Sequence, residues 1–230
     1  MFTYFYHERI RKSVATFGKL FNDIYVIRKA STGASLSQIK VPLAYAPKEK
    51  YLERIREQAD LRDGQRVALK LPRMSFEIVS MTYDAQRQLQ KSATFAQSGA
   101  SSALRSKFHS SVPYNIAFQL NIMTKTQDDA LQIVEQIIPY FKPNYTLSIK
   151  PFADHPEIIE DVPISIQSVD FSDDYEGSVE QRRMIIYTLT FEMKVNFYGP
   201  INDGKVINTT ITKFDIDTKD IADSDYLTIT

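Results

Sequence analysis

His7, His109 and His155 are the side chains of this chain best suited to ligate a metal or carry a proton near neutral pH. They lie far apart in unlike surroundings, with no His-Glu-x-x-His, no His-x-His and no carboxylate cluster beside them. That spacing does not describe a metal centre. Cysteine is absent, which removes disulfides, thiolate zinc sites and cysteine nucleophiles together. No Gly-x-Ser-x-Gly elbow nominates a serine nucleophile. Glycine occurs only 7 times, in neither of the two familiar phosphate-cradling patterns, GxGxxG and GxxxxGK[ST]. The chain therefore presents no catalytic, cofactor-binding or metal-binding residues and reads as a non-enzyme without cofactors. A small hydrolase whose triad assembles only in space is the alternative of a different class.

Two charged motifs remain. Ser172-Asp173-Asp174-Tyr175-Glu176-Gly177 lies between two expected strands. Its Asp-Asp-x-Glu spacing lacks the alternating oxygen ligands of a calcium loop, so an exposed acidic turn is the better reading. Arg182-Arg183 opens the next strand, either as partner to that turn or as an interface anchor, since arginine is enriched at such places. A phosphate contact is the least supported option. Arg182, Arg183, Asp173, Asp174 and Glu176 are thus the candidate interface residues.

Charge is divided along the chain. Residues 1–73 hold 15 Lys and Arg against 7 Asp and Glu, which is +8, and the net charge of zero leaves −8 for the rest. Residues 151–181 contain nine acids and no Lys or Arg. A zero total argues against a dedicated nucleic-acid binder. Opposite ends of opposite sign suit copies associating head to tail, and equally suit two solvated faces. No apolar run approaches the roughly 18 residues of a membrane span, and residues 1–20 have no apolar core of a signal peptide.

The elements that must position these groups follow from periodicity. Val14, Phe17, Leu20 and Phe21 have helical spacing, predicting a helix near 8–21 behind the aromatic cluster Phe2, Tyr4, Phe5 and Tyr6. Residues 23–29 and 36–43 form a hairpin across a Gly/Ser-rich turn. Pro47 starts a charged, peripheral helix to about Ala59. Strands are expected over 74–83, 112–125, 145–149, 162–169 and 184–197, with a short one near 206–212. Thr126 caps a helix whose stripe is Ala130, Ile133, Val134, Ile137 and Ile138. Residues 84–111 lack a period, which marks a functional or mobile segment. The sum is an α+β fold, a mostly antiparallel sheet with helices packed on one face. It comprises one domain over 1–200 with a polar arm at 84–111, and an acidic, partly mobile C-terminal extension over 201–230.

Five segments, in order, resemble a known family. They are Met1-Phe2-x-Tyr4-Phe5-Tyr6, Val41-Pro42-x-x-Tyr45-Ala46-x-Lys48, Leu71-Pro72-Arg73, the helix segment Asp128-Asp129-x-x-Gln132-Ile133-Val134-Glu135-Gln136-Ile137-Ile138-Pro139-Tyr140-Phe141-x-Pro143, and Arg182-Arg183 followed by Leu189-Thr190-Phe191-Glu192. Their order and spacing over residues 1–200 are similar to the tail completion and sheath-stabiliser proteins of T-even-type contractile-tailed phages. The resemblance implies a structural virion protein that forms a hexameric ring at the head-proximal end of the tail and assembles in the host cytoplasm. Its implied partners are its own copies, the tail tube protein, the tail sheath protein and the neck proteins of the head, with no membrane and no specific nucleic acid. Another tail terminator or a neck connector is the alternative reading.

Overall fold

A computed structural model describes residues 4–29, 35–57, 71–98, 104–175, 183–205, 210–213 and 226–229. The chain divides into two compact units, one of Tyr6–Gln88 with Pro113–Phe197 and one of Met1–Phe5, Leu89–Val112 and Tyr198–Thr230.

The larger unit begins with helix α1 (Arg9–Leu20) and strands β1 (Tyr25–Lys29) and β2 (Ser35–Lys40), which pair antiparallel with Tyr25 opposite Lys40. Strand β3 (Leu43–Tyr45), helix α2 (Lys48–Glu57) and strand β4 (Arg73–Tyr83) follow. Between β4 and β7 (Val112–Thr124) run β5 (Thr94–Ser98) and β6 (Leu104–His109), which belong to the smaller unit. Helix α3 (Gln127–Ile137) then leads to β8 (Asn144–Ile149), β9 (Glu160–Tyr175) and β10 (Arg183–Phe197). Six strands make one sheet in the order β3-β4-β7-β10-β9-β8. The β3–β4 pair is parallel, while β4–β7, β9–β10 and β8–β9 are antiparallel.

Side chains alternate across a strand, and that alternation builds the core. Met74 and Phe76 of β4, Ile116, Phe118, Leu120 and Ile122 of β7, and Leu189, Phe191, Met193 and Val195 of β10 share one cluster with Phe17 and Phe21 at α1 and Ile133 and Ile137 of α3. The Phe17 ring stacks on Phe118 at 4.3 Å and meets Phe76 and Phe191 at 5.3 and 5.4 Å. Both helices therefore cover the same sheet face. Helix α2 corrects the expectation that all helices do. Its Tyr51 packs with Ala46, Met123, Met184 and Ile186, residues one position out of phase with the main core and so on the opposite face. The Arg73 guanidinium lies 5.1 Å from the Tyr51 ring centre.

In the smaller unit, β11 (Asn202–Lys205), β6 and β5 form a three-stranded antiparallel sheet with Phe95 opposite Phe108. Residues 84–111 thus carry regular structure where the sequence shows no period. Phe95, Leu104 and Phe108 are the large apolar residues of β5 and β6 and the rest are small, polar or basic, so alternation of hydrophobicity is too sparse to announce them. Strands β12 (Thr210–Lys213) and β13 (Tyr226–Ile229) pair antiparallel.

Candidate interface surfaces

Strand β9 extends to Tyr175, six residues beyond the predicted end, and β10 begins at Arg183. The ladder places Asp174 opposite Met184, Asp173 opposite Ile185 and Tyr175 opposite Arg183. The stretch Ser172–Tyr175 is therefore strand and not a turn, and extended backbone does not wrap oxygens around a cation as a calcium loop does. Asp173, Asp174 and Arg183 stand together at one end of the hairpin, while Glu176 and Arg182 lie outside the described residues.

That hairpin has one uncovered side. Strand β8 pairs with β9 only from Glu160 to Ser165. Gln167 is a bulge, and from Ser168 to Tyr175 β9 pairs β10 on one side and no strand on the other among the described residues. Val169 is 40% and Phe171 53% exposed, the latter with its ring 5.0 Å from that of Tyr187.

The β1–β2 hairpin is held by α3 in a way that gives the helix motif a physical meaning. The Gln136 carboxamide accepts from the Tyr25 N–H at 3.4 Å and donates to the Tyr25 carbonyl at 2.7 Å. Gln132 accepts from the Ile27 N–H at 3.1 Å and donates to Asp128 at 2.8 Å. Four residues of helix rise about 6 Å and two residues of strand about 6.7 Å, so glutamines at i and i+4 match alternate strand residues. The two side chains stand in for a neighbouring strand along the outer edge of β1. Beside them, Arg28 binds the buried Asp129 carboxylate at 2.9 Å, the aspartate being 3% and the arginine 47% exposed. Asp129 sits in the first turn of α3, where the helix dipole favours a negative charge. The Thr126 side chain caps the same turn by accepting from the Asp129 N–H. The sequence shows Gln132 and Gln136 as motif letters; the signal that could have placed them is their i,i+4 spacing beside an apolar stripe.

The groups suited to chemistry are dispersed. His7 meets the Phe152 ring edge-on at 5.2 Å, His109 approaches Asn202 at 3.4 Å, and His155 approaches Glu157 at 3.1 Å. Among the described residues no group of three or more His, Asp or Glu could hold a metal ion. The buried ion pair is Arg9 with Glu160, which also accepts from the Asn196 N–H, while Arg9 donates to the Asn196 carbonyl. Burial pushes the Glu160 carboxyl above its ordinary value, outweighing the pull of Arg9. The arrangement ties the start of α1 to β9 and β10. A polar cleft bounded by Asp84, Asn115, Asn144, Gln167, Glu192 and Lys194 lies beside the end of β4. There Arg87 holds the Asp84 carboxyl below its ordinary value while binding the Tyr114 carbonyl and Asn115. These contacts fix a chain reversal; they do not pair an acid with a base.

Residues 4–230 match the family described as T4-like virus Myoviridae tail sheath stabiliser. The chain is 32% identical over 231 residues to the tail completion protein gp15 of Enterobacteria phage T4, covering 98% of this chain and 84% of that protein.

Proposed function

Because this chain belongs to the T4-like Myoviridae tail sheath stabiliser family, a family of structural phage-tail proteins, we propose that it caps the head-proximal end of a contractile tail. In this reading it is a non-enzymatic virion component that ends the growth of tube and sheath, holds the sheath extended and offers the docking surface for the neck. It acts as a homohexameric ring touching tube and sheath below and neck proteins above. The family match over nearly the whole chain carries the reading.

A cyclic ring needs two different surfaces on each copy. The basic first third and the acidic 151–181 segment supply opposite signs, with Arg182 and Arg183, and Asp173, Asp174 and Glu176, as the candidate contact residues. The β5–β6 hairpin is a candidate arm toward the other tail components. The test is to add the protein to tails assembled without it and image them by negative stain. Six-fold density at the head-proximal end, on sheaths that stay extended, is the expected result. Binding to isolated heads but not to tails overturns the capping role in favour of a neck connector.

A further inference from the structure

We propose that neighbouring copies join by strand addition, with β2 of one copy extending the free edge of β9 in the next; this deepens the ring reading above and rests on it.

The β9 edge from Ser168 to Tyr175, beyond the bulge at Gln167, is eight residues of strand whose outer side pairs with no strand among the described residues. A long edge bearing exposed apolar side chains, here Val169 and Phe171, is a template for another strand. Its partner is constrained by charge. Asp170, Asp173 and Asp174 lie on this edge with no Lys or Arg among residues 167–175. Two copies meeting β9 to β9 would bring six carboxylates along one seam, and like charges oppose such pairing. The occupant must be neutral or basic.

The chain carries a strand edge of that kind. Residues 25–40 hold Arg28, Lys29 and Lys40 and no acid. Arg28 and Lys40 already bridge Asp129 and Asp23, and the hairpin with those two acids still sums to +1. Its outer β1 side is occupied by Gln132 and Gln136. The outer side of β2 pairs with no strand among the described residues. One edge of the hairpin is thus closed and the other left open. The regular stretch of β2 beyond its own bulge at Leu36, Ser37–Lys40, fits within the eight residues Ser168–Tyr175 of β9. Main-chain hydrogen bonds supply the attraction and the alternate side chains supply register, as in other strand-addition contacts. Because β2 and β9 are different elements, the contact is head to tail and propagates into a closed ring or a filament, never a two-fold dimer.

Absence of cysteine makes a direct test possible. Full-length chains carrying one cysteine on β2 (Ser37→Cys or Gln38→Cys) and one on β9 (Ser168→Cys, Asp170→Cys or Phe171→Cys) are oxidised mildly and run without reductant. The expected result is a ladder of disulfide-linked multimers in at least one pairing, abolished by reductant and absent from each single-cysteine control. Negative-stain imaging of the same reduced samples, alone and on tails, reports whether rings exist. Rings that form with no cross-linked pairing in the scan overturn strand addition and leave the ring reading standing. A chain that forms no ring, alone or on tails, overturns both. A single Ser168→Cys chain that dimerises readily also overturns the proposal, because the acidic edge then pairs with itself. Neutralising Asp170, Asp173 and Asp174 to Asn in that single-cysteine chain is expected to create the dimer that the native acids prevent.

Discussion

Replacing Asp129 with alanine tests whether α3 holds the β1–β2 hairpin through its buried carboxylate. The substitution removes a charge-assisted hydrogen bond of 2.9 Å to Arg28 and the negative charge in the first turn of the helix. A bond of that kind is worth about 1.5–3 kcal/mol, with the lower half of that range apt because the guanidinium is nearly half exposed to solvent and screened. The helix dipole adds about 0.3–1 kcal/mol. The Thr126 cap survives, because it bonds the backbone N–H of residue 129. Asp129→Ala is therefore expected to cost roughly 2–3 kcal/mol, and to lower the melting temperature by about 4–12 °C at ~2–4 °C per kcal/mol for a chain of this size. Arg28→Ala should cost less, about 1–2 kcal/mol. Urea unfolding of both single variants and the double variant closes a cycle, and the coupling is expected near 1 kcal/mol. Additivity within about 0.3 kcal/mol would refute the clamp, since independent sites add to that precision. Hydrogen exchange adds a local reading: Gln132→Ala with Gln136→Ala should raise exchange at the Tyr25 and Ile27 amides more than at the β10 core.

Other perturbations read other parts of the fold. Phe17→Ala removes the ring at the centre of the aromatic cluster and is expected to cost about 3–5 kcal/mol in urea unfolding. Gly18→Ala sets helix propensity, a gain of about 1 kcal/mol, against a Cβ that would lie 2.9 Å from the Phe76 ring. Overpacking of about 1–3 kcal/mol should win, so a more stable Gly18→Ala protein contradicts the close α1–β4 approach. Thr126→Ala should cost about 1 kcal/mol through loss of the α3 cap, whereas Thr126→Ser should cost much less. The Glu160 carboxyl, raised above its ordinary value by burial, is easier to protonate folded than unfolded. Its stabilising protonation is complete below about pH 4.5 and is lost as pH rises through the folded value. Relative to Glu160→Gln, the native protein should therefore lose stability from pH 4 toward neutrality, and a difference that does not vary with pH contradicts the assignment.

What was legible in the sequence depended on whether one face of an element is buried. Helix α3 announces itself because Ala130, Ile133, Val134 and Ile137 are all buried on one stripe. Strands β7 and β10 are legible for the same reason at period two. The end of β9 was not legible. Residues Gln167–Ser172 are exposed, so polar and acidic side chains replace the alternation that signals a strand, and pairing with β10 keeps it extended. In β5 and β6 the buried alternate positions include Ser106 beside Phe108, so a polar residue breaks the apolar pattern on a ladder set by the partner strand. The site followed the same rule. Its charges could be counted in the sequence. The match between Gln132 and Gln136 on a helix and Tyr25 and Ile27 on a strand requires two elements 105 to 111 residues apart to meet.

Three strand edges of the larger unit are protected in physically different ways, and the differences bear on assembly. The outer half of β4, beyond its pairing with β3 at Phe76, carries a register shift between Ile78 and Ser80. A bulge bends a strand and spoils a flat pairing edge for every partner. The outer edge of β1 is closed by glutamine side chains, which hold the Tyr25 N–H and carbonyl and the Ile27 N–H while α3 stays docked. The β9 edge is bulged only where it starts, at Gln167, and beyond that point it is protected by acids. Of the three, only charge discriminates, because it repels an acidic edge and admits a basic one, and it weakens as salt screens it. A tail component must stay unassembled at high local concentration and then join its neighbours in one orientation. An edge guarded by charge meets that requirement, whereas a bulged or capped edge is closed to right and wrong partners alike. Raising salt should therefore increase wrong β9-to-β9 pairing and weaken β2-to-β9 pairing, a reversal of preference that neither a bulge nor a glutamine cap can produce.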